Sequence, residues 1–139
     1  MKTFVVLAVG IAMLSTLFCP IVIAATPMPD DVQIVQPDPS LPKELSGFFG
    51  KWEGFNNIMQ FFMIVEKIDE EKASLYLWRS GYGDVAPGWT RYEAKVDKER
   101  GKYMLWYNGP FGMTEVTFKG NNLYSDTRPW GAVRFKRVP

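Results

Sequence analysis

The chain has 139 residues, with 16 basic and 15 acidic side chains, no histidine and one cysteine, which is enough for one domain. A net charge of +1 argues against a nucleic-acid partner, which needs a basic footprint. The lack of histidine removes the commonest metal ligand and general base together, so haem held by histidine, histidine-bound zinc and Ser-His-Asp catalysis are excluded and no cofactor is expected.

Lys2 is followed by an uncharged, mostly apolar run from Thr3 to Ala25 that ends in Val22-Ile23-Ala24-Ala25. Residues 1–25 read as a secretory signal peptide cleaved near Ala24 or Ala25. Two alternatives stay open. An apolar run of this length suffices for a membrane anchor, and Cys19 raises lipidation, although Phe18 stands where a small residue is needed. Cleavage removes Lys2 and Cys19, leaving a neutral, disulfide-free domain that must fold on its core alone. The expected location is exported, periplasmic or extracellular, soluble and off the membrane after cleavage.

Residues 26–39 form a linker rich in proline and aspartate, with Pro27, Pro29, Pro37 and Pro39 among Asp30, Asp31 and Asp38. Such a segment cannot build a core and should be extended and mobile. Val32 to Val35 is its one stretch suited to pairing with a sheet edge. Residues 40–139 then make the domain. Ser40 is placed to cap a short helix through Glu44 and Leu45, ended by Gly47.

From Lys51 onward the pattern is strand and turn. Strands are expected over 51–55, 58–68, 73–78, 89–96, 102–107, 113–119, 123–127 and 130–138. Tyr92, Ala94 and Val96 alternate with Arg91, Glu93 and Lys95, while Phe61 to Val65 is apolar without alternation. Turns fall at Asn56-Asn57, 69–72, 97–101 and 120–122, with longer loops at 79–88 and 108–112. Short, even connections and no crossover helix predict an all-β fold, a small antiparallel up-and-down barrel of about eight strands with a short N-terminal helix. A two-sheet sandwich is the next choice, and a five-stranded oligonucleotide-binding barrel a distant third.

Leu45, Gly50 and Trp52 resemble the opening motif of lipocalin-type (calycin) barrels, where a short helix leads into Gly-x-Trp on the first strand. The resemblance covers 42–138 in pattern and few residues in identity, and the chain lacks the family's C-terminal helix. It is also similar to small accessory barrels of secreted bacterial proteins. The resemblance implies a barrel floor made by Gly50 and Trp52, with Arg134 or Arg137 stacking on the indole. It carries no catalytic residues over.

In a meander, alternate connections share an end. Those after the second, fourth and sixth strands are short and charged. Those after the first, third, fifth and seventh hold glycines, prolines and aromatics. This places Trp78, Arg79, Tyr82, Asp84, Trp89, Tyr107, Phe111 and Trp130 at one rim, with Arg128 beside them, opposite the Trp52 end. The rim suits a small apolar, aromatic or sugar-like ligand. The same aromatics, with Phe62, Tyr92, Met104 and Phe118, serve equally to fill a narrow barrel. The rim then becomes a docking surface of a secreted accessory or inhibitor-like module for an envelope protein. Carboxylates such as Glu53, Asp84 and Asp126 are the available acid–base groups. No spacing pairs them as a glycosidase would require, so no enzyme is expected.

Overall fold

The computed structural model describes residues 28–128 and 131–139. The expected signal peptide, Cys19, the start of the linker, Pro129 and Trp130 lie outside the described residues. A one-turn helix α1 (Lys43–Ser46) precedes β1 (Gly50–Phe55), β2 (Gln60–Ile68), β3 (Lys72–Arg79) and β4 (Gly88–Glu99). Then follow β5 (Lys102–Gly109), β6 (Gly112–Lys119), β7 (Asn122–Thr127) and β8 (Gly131–Val138). Each strand pairs antiparallel with the next, and β8 returns to β1 through the register Trp52↔Arg137 and Phe55↔Arg134, closing an eight-stranded barrel.

Period-two alternation puts one face of each strand into the barrel. Leu75 and Leu77 on β3, Ala94 and Val96 on β4, and Leu105 and Tyr107 on β5 all point inward and are buried. So are Val116 on β6, Leu123 on β7, and Val133 and Phe135 on β8. The strand expected over 58–68 begins only at Gln60, because Asn56 Oδ1 accepts the backbone N–H groups of Ile58 and Met59 and holds the turn. β4 is longer than expected and runs to Glu99. Its ladder with β5 spans only Lys95 to Glu99, so the first half of β4 pairs with β3 alone. The Tyr92 and Tyr107 rings pack 5.1 Å apart between β4 and β5.

One local expectation is corrected. Ser40 does not cap α1. Its N–H and hydroxyl both donate to Asp38 Oδ1, and Pro42 stands at the N-cap without a side-chain bond. Gly47 ends α1 as expected, in a right-handed conformation. The glycine whose conformation matters is Gly50, at φ +117, a region that side-chain-bearing residues rarely adopt.

The segment around 31–35 finds no sheet edge, because closure pairs β2 on both sides. It lies instead on the outer wall, at the bulge between Val65 and Lys67. Val35 N–H donates to Glu66 O at 2.8 Å and Gln33 N–H to Glu66 Oε1 at 3.0 Å. Glu66 points out of the barrel yet is only 3% exposed. It also accepts from Ser74 and, in a two-pronged contact at 2.9 and 3.1 Å, from Arg91. Arg91 in turn reaches Asp31 and lies over the Tyr76 ring.

Burial pushes the Glu66 carboxyl upward. The hydrogen bonds from Arg91, the Gln33 backbone and Ser74, with the Arg91 charge, outweigh it and hold the carboxyl below the ordinary range. Its folded value is therefore the lower one, and its stabilisation is present above the ordinary glutamate range and lost as pH falls through the folded value. In Arg91→Met burial and the bonds from Gln33 and Ser74 remain while the Arg91 bonds and charge are gone, so the carboxyl moves upward and the stability lost on the acid side shrinks. Melting temperature followed over roughly pH 3 to 7 tests this, and parallel curves for the two proteins would refute it.

Candidate functional site

The two ends of the barrel differ in chemistry. At the floor, connected by 69–71, 100–101 and 120–121, the Trp52 indole is 1% exposed and donates to Phe48 O at 2.9 Å. Phe118 meets both Phe48 and Trp52 edge-on. The Arg137 guanidinium lies 4.2 Å from the Trp52 ring centroid and donates to Phe49 O at 2.7 Å and to Gly47 O. A Cβ on Gly50 would fall 2.7 Å from Arg137 Nη1. Gly50, Trp52 and Arg137 thus form one closed plug. Arg134 is not part of it: its register partner is Phe55 at the opposite end of β1, and it faces solvent.

The other end, the mouth, is formed by the connections after β1, β3, β5 and β7. Ile58 and Tyr82 are exposed there, with Val85 on the β3–β4 loop, while Phe55 and Met113 are exposed on the adjoining outer wall. Beside Ile58 and Tyr82 opens a cavity of about 90 Å³. Its inner wall is apolar on one side, where Phe61, Leu77, Val133 and Phe135 line it. On the other side β6 and β7 contribute Thr114, Ser125 and Thr127. Among the described residues its lining holds no Asp, Glu, Lys or Arg.

The expected rim residues separate into two groups. Tyr82, Tyr107 and Phe111 line the cavity. Tyr107 is buried, and burial pushes its phenol well above the usual range, so it stays neutral. Trp78 and Trp89 do not face the mouth. They stand on the outer wall, directly paired across β3 and β4, where Trp78 packs on Phe62 and Trp89 on Tyr76. Phe62 and Met104, expected as filling, also point outward. Tyr92 is inside, and Phe118 belongs to the floor.

Two of the polar groups named for the rim, Arg79 and Arg128, have structural partners. Arg79 donates to Ala86 O at 3.0 Å and braces the β3–β4 loop. Asp84 is exposed on that loop. Arg128 lies 3.8 Å from Asp126. Glu53 accepts from Gln60 Nε2 on the outer wall. None of the three carboxylates named as acid–base groups lines the cavity, and among the described residues no cluster of three or more acidic, cysteine or histidine side chains is arranged to hold a metal.

The three inward hydroxyls went unnoticed in the sequence, where Ser and Thr between strand residues look like surface. Their phase was the available signal, since Leu123, Ser125 and Thr127 share one face of β7, as Thr114 and Val116 do of β6. Thr114 and Thr127 are register partners, 2.7 Å apart at their hydroxyl oxygens, and Thr114 also donates to Gly112 O. Comparison of the chain with protein-family models, curated proteins and solved structures finds no match.

Proposed function

We propose that the protein is a non-catalytic, exported, lipocalin-like barrel that binds a small apolar or aromatic ligand at its mouth. The observation that carries this reading is the uncharged cavity of about 90 Å³ opening beside the exposed Ile58 and Tyr82. Ligand sites combine apolar walls with a few placed polar groups and often sit at barrel mouths. The lipocalin-like part draws support from the plug at the opposite end, where Arg137 stacks on Trp52 behind a short helix. The sugar-like ligand loses ground, because Trp78 and Trp89, the broad stacking surfaces it would use, lie on the outer wall.

Thermal unfolding with a panel of short alcohols, ketones and phenols tests the reading. A ligand at a hundred times its Kd adds about 2.7 kcal/mol, a rise of roughly 4–8 °C in Tm for a domain near this size. Leu77→Phe, which fills the cavity from its apolar side, should reduce that rise. A flat response to the whole panel in the unsubstituted chain would refute small-molecule binding. It would favour the second reading, a module that docks an envelope protein, which draws on the same exposed Ile58 and Tyr82 with the adjoining Phe55 and Met113.

A further inference from the structure

The hydroxyl of Ser125 has no role in the fold. Ser125 is 5% exposed, sits on the inner face of β7 and lines the cavity. It lies one inward step deeper than Thr127, level with Val116 and Val133. The two hydroxyls nearer the mouth, Thr114 and Thr127, satisfy each other. Ser125 makes no side-chain hydrogen bond to any described residue, and the inner face around it offers Leu123, Val116 and Val133. Among the described residues no sealed side-chain polar atom lacks a partner, so the Ser125 hydroxyl opens onto the cavity and is free to bond whatever occupies it.

We propose, resting on the binding reading above, that the ligand is a small uncharged amphiphile bound head first. Its alcohol or carbonyl head hydrogen-bonds Ser125, and its apolar tail points out past Phe111 and Tyr82. Three features select this class. First, Ser125 both donates and accepts, so it serves a hydroxyl or a carbonyl equally. Second, the described lining offers no countercharge. Burying an unpaired carboxylate or ammonium is heavily disfavoured, which discriminates against fatty acids in their ionised form and against amines. Third, the cavity, about 90 Å³, is smaller than the roughly 150 Å³ void that accepts benzene. It holds a head and a few carbons. The remainder of the tail must leave through the mouth, where the exposed side chains are apolar.

The test is a binding titration of the full chain, followed by Tm, with four six-carbon probes: 1-hexanol, 2-hexanone, hexanoate and hexane. The unsubstituted protein is compared with Ser125→Ala and with the closer isostere Ser125→Cys. The proposal expects saturable binding of hexanol and hexanone, with hexanoate at neutral pH at least about tenfold weaker. It expects Ser125→Ala to weaken hexanol by about tenfold while leaving hexane unchanged, with Ser125→Cys between. The Tm of each variant without ligand shows whether it is folded. If hexane binds as well as hexanol, or Ser125→Ala leaves hexanol unchanged, the head-first inference is overturned and the binding reading stands. If hexanoate binds as tightly as hexanol, the uncharged class is overturned. If none of the four binds the unsubstituted chain, both the inference and the binding reading fall.

Discussion

Trp52→Ala should lower the free energy of unfolding by about 3–5 kcal/mol, the range for deleting a large buried aromatic. The indole is buried at the floor, with its N–H committed to Phe48 O and its face covered by Arg137. Phe118 contacts its edge. Truncation opens the floor beside Phe118, leaves the Phe48 carbonyl without its donor and strips the guanidinium of its platform. That platform is worth about 0.5–2 kcal/mol by itself. Because the floor and the cavity are at opposite ends, the effect should fall on stability and not on ligand selectivity. Urea unfolding of the two proteins measures it. A variant as stable as the parent would show that Trp52 does not close the barrel.

Gly54→Ala should destabilise the barrel by about 1–3 kcal/mol, the usual penalty for overpacking, although one methyl is added. Gly54 is on the inner face of β1, at the seam where β8 closes on it opposite Phe135. A Cβ there would lie 2.7 Å from Val133 Cγ1, 2.9 Å from Phe135 Cδ1 and 3.0 Å from the Arg134 carbonyl oxygen. The backbone oxygen cannot rotate away, so the seam must open or the two core side chains must leave their rotamers. Gly88→Ala is the control. A Cβ on Gly88 meets nothing within 4 Å, so that substitution should stay within about 0.5 kcal/mol. Chemical unfolding of both variants decides the matter, and equal effects at the two positions would contradict the seam argument. The displacement of Val133 and Phe135 would also reshape the cavity that they line.

Much of the fold was legible because strand geometry is local. Tyr92, Ala94 and Val96 against Arg91, Glu93 and Lys95 fix both a strand and its inner face. Short connections such as 120–121 leave little room for anything but antiparallel neighbours. The same alternation, carried further, separates residues that a list of loop-flanking aromatics merges. Leu75 and Leu77 inside place Trp78 outside. Tyr92 inside places Trp89 outside. Val133 and Phe135 inside put Arg137 in phase with the floor and Arg134 against solvent. Phe61 to Val65 has no such phase of its own, since Phe62 and Ile64 are apolar too, and only pairing with β1 and β3 resolves it.

The sequence by itself determined the strands, their order, their approximate ends and the chemical contrast between charged and aromatic connections. Each of these depends on residues within a few positions of one another. The tertiary structure decided the rest. Thr114, Ser125 and Thr127 come from two strands and meet Phe61, Leu77 and Phe135 only because the sheet closes. Whether Ser125 is solvated or buried therefore depends on the barrel's circumference and not on its neighbours in sequence. The anchoring of Asp31 and Gln33 was equally hidden, because it depends on Glu66 and Arg91, 25 residues apart, being brought to one face of the wall. Period-two patterning assigns a side to each residue. Only closure decides what faces it.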